Sequence, residues 1–294
     1  MKPWLARITT KMPIILLVLL LLTLGNDVGV KTPVGTSIIV LNHPGKIDDL
    51  SVYQGLKGSR VSVSYLTREF DPSPEIAFMD SRSYPYSVMV ATSGFPAFDG
   101  KTLYNLDMTA LDAMAAKPRM RGFYFAEMLT YLASINSWNW AMADSSLNWQ
   151  WVDQVMKIAQ AHNKKVIWHE PSFAWQTLNG SATFKNYAAT LAWKSVLIPM
   201  WANNFPDEQT ENAQANATAV ASRYNLPMGL SHQGWHWRDH NRVVTRQESF
   251  QIMWEARLDK ARYFQLEGTP EDLQWGSPFM LGARDFAKTV SRRR

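Results

Sequence analysis

Eight apolar, β-branched stretches lie between Thr36 and Lys288, and each of them ends in a polar tip. They are short and almost continuously hydrophobic, which is typical of strands that are buried on both faces of a parallel sheet. The predicted strands cover residues 37–42, 60–65, 86–91, 121–126, 165–169, 195–201, 227–232 and 262–267. Because segments with helical spacing follow most of them, the chain is predicted to be an α/β protein with a closed (β/α)8 TIM-type barrel.

Helical spacing of apolar residues connects the later strands most clearly. It predicts helices at residues 106–116, 149–162, 183–193, 212–224 and 247–261. In the last unit, Thr269 is the predicted N-cap and Pro270 the first helical residue. Residues 46–58 can form a helix, residues 71–85 predict a loop with at most a short helix, and residues 94–104 predict another long loop. The barrel is therefore expected to have an irregular first half.

The two ends of the chain differ from its body. Lys2, Arg7 and Lys11 precede an apolar run at residues 13–24, which is shorter than the roughly 20 residues of a membrane span. Residues 1–25 are therefore predicted to be a signal peptide or an N-terminal membrane anchor. Residues 36–290 are predicted to form one catalytic barrel domain of the usual size. The protein is expected to be exported, either secreted or periplasmic, and to contact a membrane only through an uncleaved leader.

Composition excludes several classes of function. Seven positive charges belong to the leader and the tail, and without them the formal charge of +5 becomes about −2, which disfavours nucleic acid as a partner. There is no cysteine, so no disulfide framework and no cysteine nucleophile exist. The sequence has no phosphate-cradling glycine loop and no Gly-x-Ser-x-Gly elbow, so no cofactor and no serine hydrolase site are expected.

Three of the strand tips carry a glutamate: Glu127 in GFYFAEM, Glu170 in KVIWHEP and Glu267 in YFQLEG. A parallel barrel gathers its strand tips at one face, where a carboxylate is often catalytic. We therefore predict that these three acids form the catalytic site. The alternatives are an ion pair of Glu127 with Arg119 or Arg121, and a helix-start partner role for Glu267.

Aromatic and amide side chains near the other tips indicate a sugar-binding rim. Twelve of the thirteen tryptophans lie between Trp138 and Trp275, some of them next to Gly, Asn and His. Flat aromatic faces suit the C–H faces of pyranose rings, and amides and imidazoles suit their hydroxyls. The predicted substrate-binding residues are Asn42, His43, Trp168, His169, Trp201, Asn203, His232, Gln233, Trp235, His236 and Trp237.

Taken together, this pattern resembles that of (β/α)8-barrel glycoside hydrolases over roughly 250 residues. The resemblance implies that Glu127, after the fourth strand, protonates the leaving oxygen. Glu170 or Glu267 would then act as nucleophile or as base for a water, with a carboxyl separation of about 5 Å for retention and roughly 6.5–9.5 Å for inversion. The implied substrate is a poly- or oligosaccharide. The commonest clan has its nucleophile after the seventh strand, where this chain has Ser231-His232-Gln233 and no acid.

Two other functions fit the same residues. A non-catalytic carbohydrate-binding barrel would keep the aromatic rim and use its acids as ion pairs. A metal-dependent hydrolase would use His169, Glu170, His232 and His236 as ligands. The histidines after the seventh strand are spaced for a metal only if that segment is helical, and its Gly and Trp pattern predicts a loop, so no metal is expected.

Overall fold

A computed structural model describes residues 36–41, 61–67, 72–91, 107–135, 137–191, 197–202, 207–234 and 243–292 of the chain. The predicted leader, the possible helix at 46–58 and the predicted loop at 94–104 lie outside these residues.

Eight parallel strands close into a barrel in the order of the sequence, with β8 paired to β1. They are β1 Thr36–Leu41, β2 Val61–Leu66, β3 Tyr86–Ala91, β4 Met120–Ala126, β5 Lys165–His169, β6 Leu197–Ala202, β7 Met228–Gln233 and β8 Ala261–Glu267. Every strand lies within two residues of its predicted position, and the predicted TIM-type barrel is confirmed.

Ten helices accompany the strands in the part of the chain that the structure describes. They are α1 Ser73–Ser81, α2 Met108–Ala116, α3 Met128–Ile135, α4 Trp140–Ser146, α5 Trp149–Ala161, α6 Ser172–Gly180, α7 Ala182–Leu191, α8 Asp207–Tyr224, α9 Arg246–Leu258 and α10 Pro278–Arg292. The five helices predicted from apolar spacing correspond to α2, α5, α7, α8 and α9. The short helices α3, α4 and α6 were not predicted.

The prediction that the last helix begins at Pro270 is wrong. The N–H of Thr269 donates to Asp272 Oδ2 (2.9 Å) and the N–H of Asp272 donates to Thr269 Oγ1 (3.2 Å), so the capping residues close a single turn. Helix α10 begins at Pro278, where Ser277 Oγ accepts the N–H of Met280. Buried apolar residues at helical spacing start only there, so the helix forms where it can pack.

The outward faces of the strands build most of the core. Phe125 of β4 packs against Trp151 of α5, and Phe264 of β8 packs against Phe286 of α10. The inward faces meet inside the barrel, where the ammonium of Lys165 at the start of β5 donates to the Tyr263 hydroxyl of β8. Because β5 and β8 are not neighbours, this contact fills the amino-terminal end of the barrel. None of the described helices is long and apolar enough to cross a membrane.

Gly122 of β4 provides a test of the barrel's packing. A Cβ at this position would lie 2.3 Å from the carbonyl oxygen of Lys165 on β5, which is backbone and cannot move aside. We expect Gly122→Ala to lower the free energy of unfolding by about 1–3 kcal/mol, the usual cost of overpacking. Thermal denaturation measures this change. The control is Gly180→Ala at the end of α6, where a Cβ meets nothing within 4 Å; equal melting temperatures for the two variants would contradict the strand register.

Candidate active site

The three acids predicted at strand tips all act electrostatically on the phenol of Tyr124. Tyr124 of β4 is fully buried, and burial raises the pKa of its hydroxyl well above the usual value. The negative carboxylates of Glu267, Glu127 and Glu170 raise that pKa further. Since β4 and β8 are four positions apart in a ring of eight strands, Glu127 and Glu267 act on Tyr124 from opposite walls of the barrel.

Glu127 joins β4 to α3 in a conformation that is unusual for a residue with a side chain. Its φ is 53°, in the left-handed region, and such a residue costs on the order of 1–3 kcal/mol. Its N–H donates to the carbonyl of His169 on β5 (2.8 Å). This conformation interrupts the alternation of side chains along β4. The half-buried Glu127 acts electrostatically on the inward-facing Tyr124 and His169.

The arginines considered as partners of Glu127 lie at the opposite end of its strand. Arg121 is six residues before Glu127, which is roughly 20 Å of extended chain. Arg119 donates to the carbonyl oxygen of Ser83 (2.9 Å). Neither arginine reaches Glu127, so this alternative does not hold.

Glu267 ends β8 and is held by two amides. The Nε2 groups of Gln233 (3.2 Å) and Gln265 (3.3 Å) donate to its Oε2. Gln233 is the register partner of Glu267 on β7, and Gln265 is two residues earlier on the same face of β8. The helix-start partner role considered for Glu267 is filled by Asp272, whose Oδ2 accepts the N–H and the hydroxyl of Thr269.

Glu170 lies behind Glu127 and is fully buried. Its Oε1 accepts the N–H of Leu129 (2.9 Å) and the indole N–H of Trp168 (3.2 Å), and its Oε2 accepts the N–H (3.3 Å) and hydroxyl (3.0 Å) of Thr130. Burial raises the pKa of Glu170 to about 8, an effect that these donors oppose and the charge of Glu127 reinforces. The carboxyl therefore fastens β5 to the first turn of α3.

Several inward-facing polar atoms have no hydrogen-bond partner among the described residues. Tyr124 OH, His169 Nε2, Ser231 Oγ and Gln265 Oε1 are buried and accept or donate no hydrogen bond within the described part of the chain. Ser231 is the register partner of Gln265, and His169 pairs with Ala126, two residues after Tyr124. Each such atom costs about 1–3 kcal/mol unless water or a ligand satisfies it. The upper barrel is thus lined by hydrogen-bonding groups that are available to water or to a polar ligand.

Three of these residues, Tyr124, Ser231 and Gln265, were not among the predicted site residues. Counting back by two along a strand from its tip identifies Gln265 and Ser231, since alternate residues share a face. Tyr124 is three residues before Glu127, because the left-handed conformation of Glu127 interrupts the alternation. The tip at Glu267 leads to Gln265, and the tip at Gln233 leads to Ser231.

The same alternation places three predicted binding residues away from the interior. Trp168 packs on Trp149 and Phe184 in the helical layer. The ring of His232 bonds Ser249 Oγ of α9 (3.1 Å), and that hydroxyl donates to a carbonyl, so Nε2 of His232 is the donor. Trp201 is the register partner of Leu230, two residues before His232, and only 2% of it is exposed. His169 and Gln233 face inward, whereas these three belong to the core.

The remaining predicted binding residues, Asn42, His43, Asn203, Trp235, His236 and Trp237, lie outside the described residues. Within the described ranges, no group of three or more His, Cys, Asp or Glu side chains is arranged to hold a metal ion. His169, Glu170 and His232 of the metal-dependent alternative therefore do not form a ligand cluster.

The titration of Glu170 predicts a pH dependence of stability. Its pKa of about 8 in the folded chain exceeds its usual 4.5, so the folded state retains a proton between these values that the unfolded state loses. The free energy of unfolding should therefore fall as the pH rises from about 5 to about 8. Urea denaturation of Glu170→Gln should show a smaller fall than the wild type. Glu255→Gln, on the exposed face of α9, is the control, and its free energy of unfolding should fall with pH as much as that of the wild type. If Glu170→Gln kept the wild-type pH dependence, Glu170 would not be the group responsible.

Solved structures similar to this chain include three of the catalytic module of a family 98 glycoside hydrolase from Streptococcus pneumoniae TIGR4. They are the complexes with the LewisY pentasaccharide and the H-disaccharide blood group antigens, and the native form. Their TM-scores are 0.63, 0.62 and 0.59, at 11%, 12% and 11% identity, and each match covers 88% of this chain and 52% of the other. The chain thus spans about half the length of these structures, and at this identity the likeness shows a shared fold. No family model and no curated protein matches the sequence.

Proposed function

We propose that this chain is a glycoside hydrolase that cleaves a poly- or oligosaccharide at the carboxyl-terminal end of its barrel. The observation that carries the proposal is that Glu127 and Glu267 follow or end strands on opposite walls of the barrel, while inward-facing polar atoms are buried without a hydrogen-bond partner in the part of the chain that the structure describes. A pyranose presents several hydroxyls in a small volume, so it can satisfy these atoms together. The fold shared with the family 98 module is compatible with this chemistry.

In the proposed reaction, Glu127 donates its proton to the glycosidic oxygen as the bond from that oxygen to the anomeric carbon breaks. Positive charge develops at the anomeric carbon, and the carboxylate of Glu267 stabilises it. Glu267 either bonds to this carbon and is later displaced by water, or accepts a proton from a water that attacks directly. The water supplies the hydroxyl of the new reducing end, and the proton it releases restores the enzyme.

Two side chains beneath the acids would orient the sugar. Burial lowers the pKa of the His169 imidazole, so a neutral ring with one donor and one acceptor nitrogen faces the interior. The raised pKa of Tyr124 keeps its hydroxyl protonated. Both groups can therefore donate to, or accept from, sugar hydroxyls without adding charge.

Glu170 is assigned a positioning role in this proposal. Its four donors come from the indole of Trp168 and the first turn of α3, directly after Glu127. By fixing that turn to β5, it holds the left-handed backbone of Glu127.

The predicted leader would carry the enzyme to a polymeric substrate outside the cell.

Reducing-sugar release from a panel of polysaccharides tests the proposal. We expect Glu127→Gln and Glu267→Gln each to reduce release by about a hundredfold or more, because each removes a proton-transfer or charge-stabilising group. Glu255→Gln, an exposed acid of α9, should release sugar at the wild-type rate.

Full activity in both site variants would remove these acids from the chemistry. Release of sugar from none of the polysaccharides, together with binding to one of them, would favour the non-catalytic barrel. Unchanged circular dichroism spectra would show that the variants are folded.

A further inference from the structure

Two exposed aromatic side chains form a cluster with the half-buried Trp140 outside the barrel. Trp138 is 62% exposed and Phe173 is 50% exposed. Trp140 stacks on Phe173, with ring centroids 6.1 Å apart and planes at 30°, and its ring lies 6.4 Å from that of Trp138. Large apolar side chains that are exposed together mark a binding surface more often than single ones do. We call Trp138, Trp140 and Phe173 the aromatic platform.

The aromatic platform adjoins the candidate active site. Phe173 is the second residue of α6 and follows Glu170 by three residues, so it lies at the carboxyl end of β5. Trp138 and Trp140 follow α3, the helix whose first turn Glu170 holds. The stacking of Trp140 on Phe173 brings both segments together on the face of the barrel that carries the acids.

The backbone under the aromatic platform is held in an uncommon conformation. Ser137 and Trp138 both have a positive φ, 54° and 61°, which is rare for residues other than glycine. The N–H of Trp138 donates to the carbonyl of Ala133 (2.7 Å) and ends α3, and Asn139 Oδ1 caps α4 at the N–H of Met142 (3.0 Å). Hydrogen bonds at the end of α3 and at the start of α4 therefore hold the backbone of Trp138 in place. An exposed tryptophan side chain contributes little to the stability of the fold.

The sequence around the aromatic platform is almost free of charge. Residues 128–152 include one charged residue, Asp144, and residues 171–184 include none, in a chain that is 19% charged. The exposed polar groups in these segments are amides and hydroxyls, as at Ser137, Asn139 and Gln176. A phosphate-bearing ligand, an anionic membrane or an acidic glycan would be matched by lysine or arginine, so the composition favours an uncharged ligand.

We propose that the aromatic platform binds uncharged pyranose units of a glycan that extends outward from the acids. The C–H faces of the sugar rings would lie on Trp138 and Phe173, and the neighbouring amides would bond the equatorial hydroxyls. The choice of glycan as the ligand rests on the proposed function. The substrate is accordingly a neutral chain several units long, held both inside the barrel and on its rim.

Affinity electrophoresis tests this proposal, in gels cast with neutral polysaccharides (galactomannan, xyloglucan, arabinoxylan and mixed-linkage glucan). Trp138→Ala and Phe173→Ala are compared in a Glu127→Gln background, which prevents cleavage. The control is Leu258→Ala, which removes an equally exposed apolar side chain at the opposite end of the barrel. We expect the dissociation constant to rise about tenfold in each platform variant, the equivalent of about 1.4 kcal/mol, and to stay unchanged in the control.

Equal retardation of Trp138→Ala and the Glu127→Gln parent would overturn the proposal, as would the absence of retardation on every gel. Binding to vesicles with anionic lipid in place of the polysaccharides would also overturn it.

Two further outcomes separate this proposal from the hydrolase. Retardation that depends on Trp138 without any sugar release supports the aromatic platform and removes the hydrolase. Sugar release with an unchanged KM for long chains in Trp138→Ala keeps the hydrolase and removes the aromatic platform.

Discussion

The alternation of side chains along eight parallel strands is the constraint on which the rest of this structure depends. In a closed barrel each residue faces either the interior or the helices, and neighbouring strands in register share that choice. Phe125, Trp168 and Phe264 face the helices and supply much of the core. Their inward neighbours are then free to be polar, and Tyr124, His169 and Gln265 occupy those positions. The site is thus a consequence of how the core is built.

One buried carboxyl connects that alternation to the geometry of the acids. Glu170 continues β5 beyond its last paired residue, and its oxygens receive donors from the helical layer and the start of α3. An acid in this place is costly to bury, and its hydrogen bonds offset that cost only while α3 keeps its position. Glu127 lies between the two elements that Glu170 joins, so the left-handed turn that redirects Glu127 depends on it. In the proposed mechanism Glu170 therefore acts through Glu127, as a positioning residue.

The strands were predictable because buried parallel strands are marked by short apolar runs with polar ends. The helices α3 and α4 have eight and seven residues, too short for apolar spacing to distinguish them from loops. Thr269 and Asp272 show that capping residues can close a single turn without starting a helix. A helix also needs an apolar face to bury. The sequence indicated the three acids as a group. It did not separate their roles, because the backbone conformation of Glu127 and the bonds of Glu170 arise from tertiary contacts.

The faces of the binding residues were the least predictable part of the site. Trp168 and Trp201 stand near strand tips, and only their register with neighbouring strands shows that they belong to the core. The exposed aromatics, Trp138 and Phe173, lie instead at helix ends that no strand pattern could locate.

A high-resolution crystal structure of the free protein would show whether the upper barrel is open to a ligand. We expect ordered waters bonded to Tyr124 OH and His169 Nε2 and continuous with solvent at the mouth. Side chains of the protein bonded to both atoms, with no room for a ligand, would contradict this expectation.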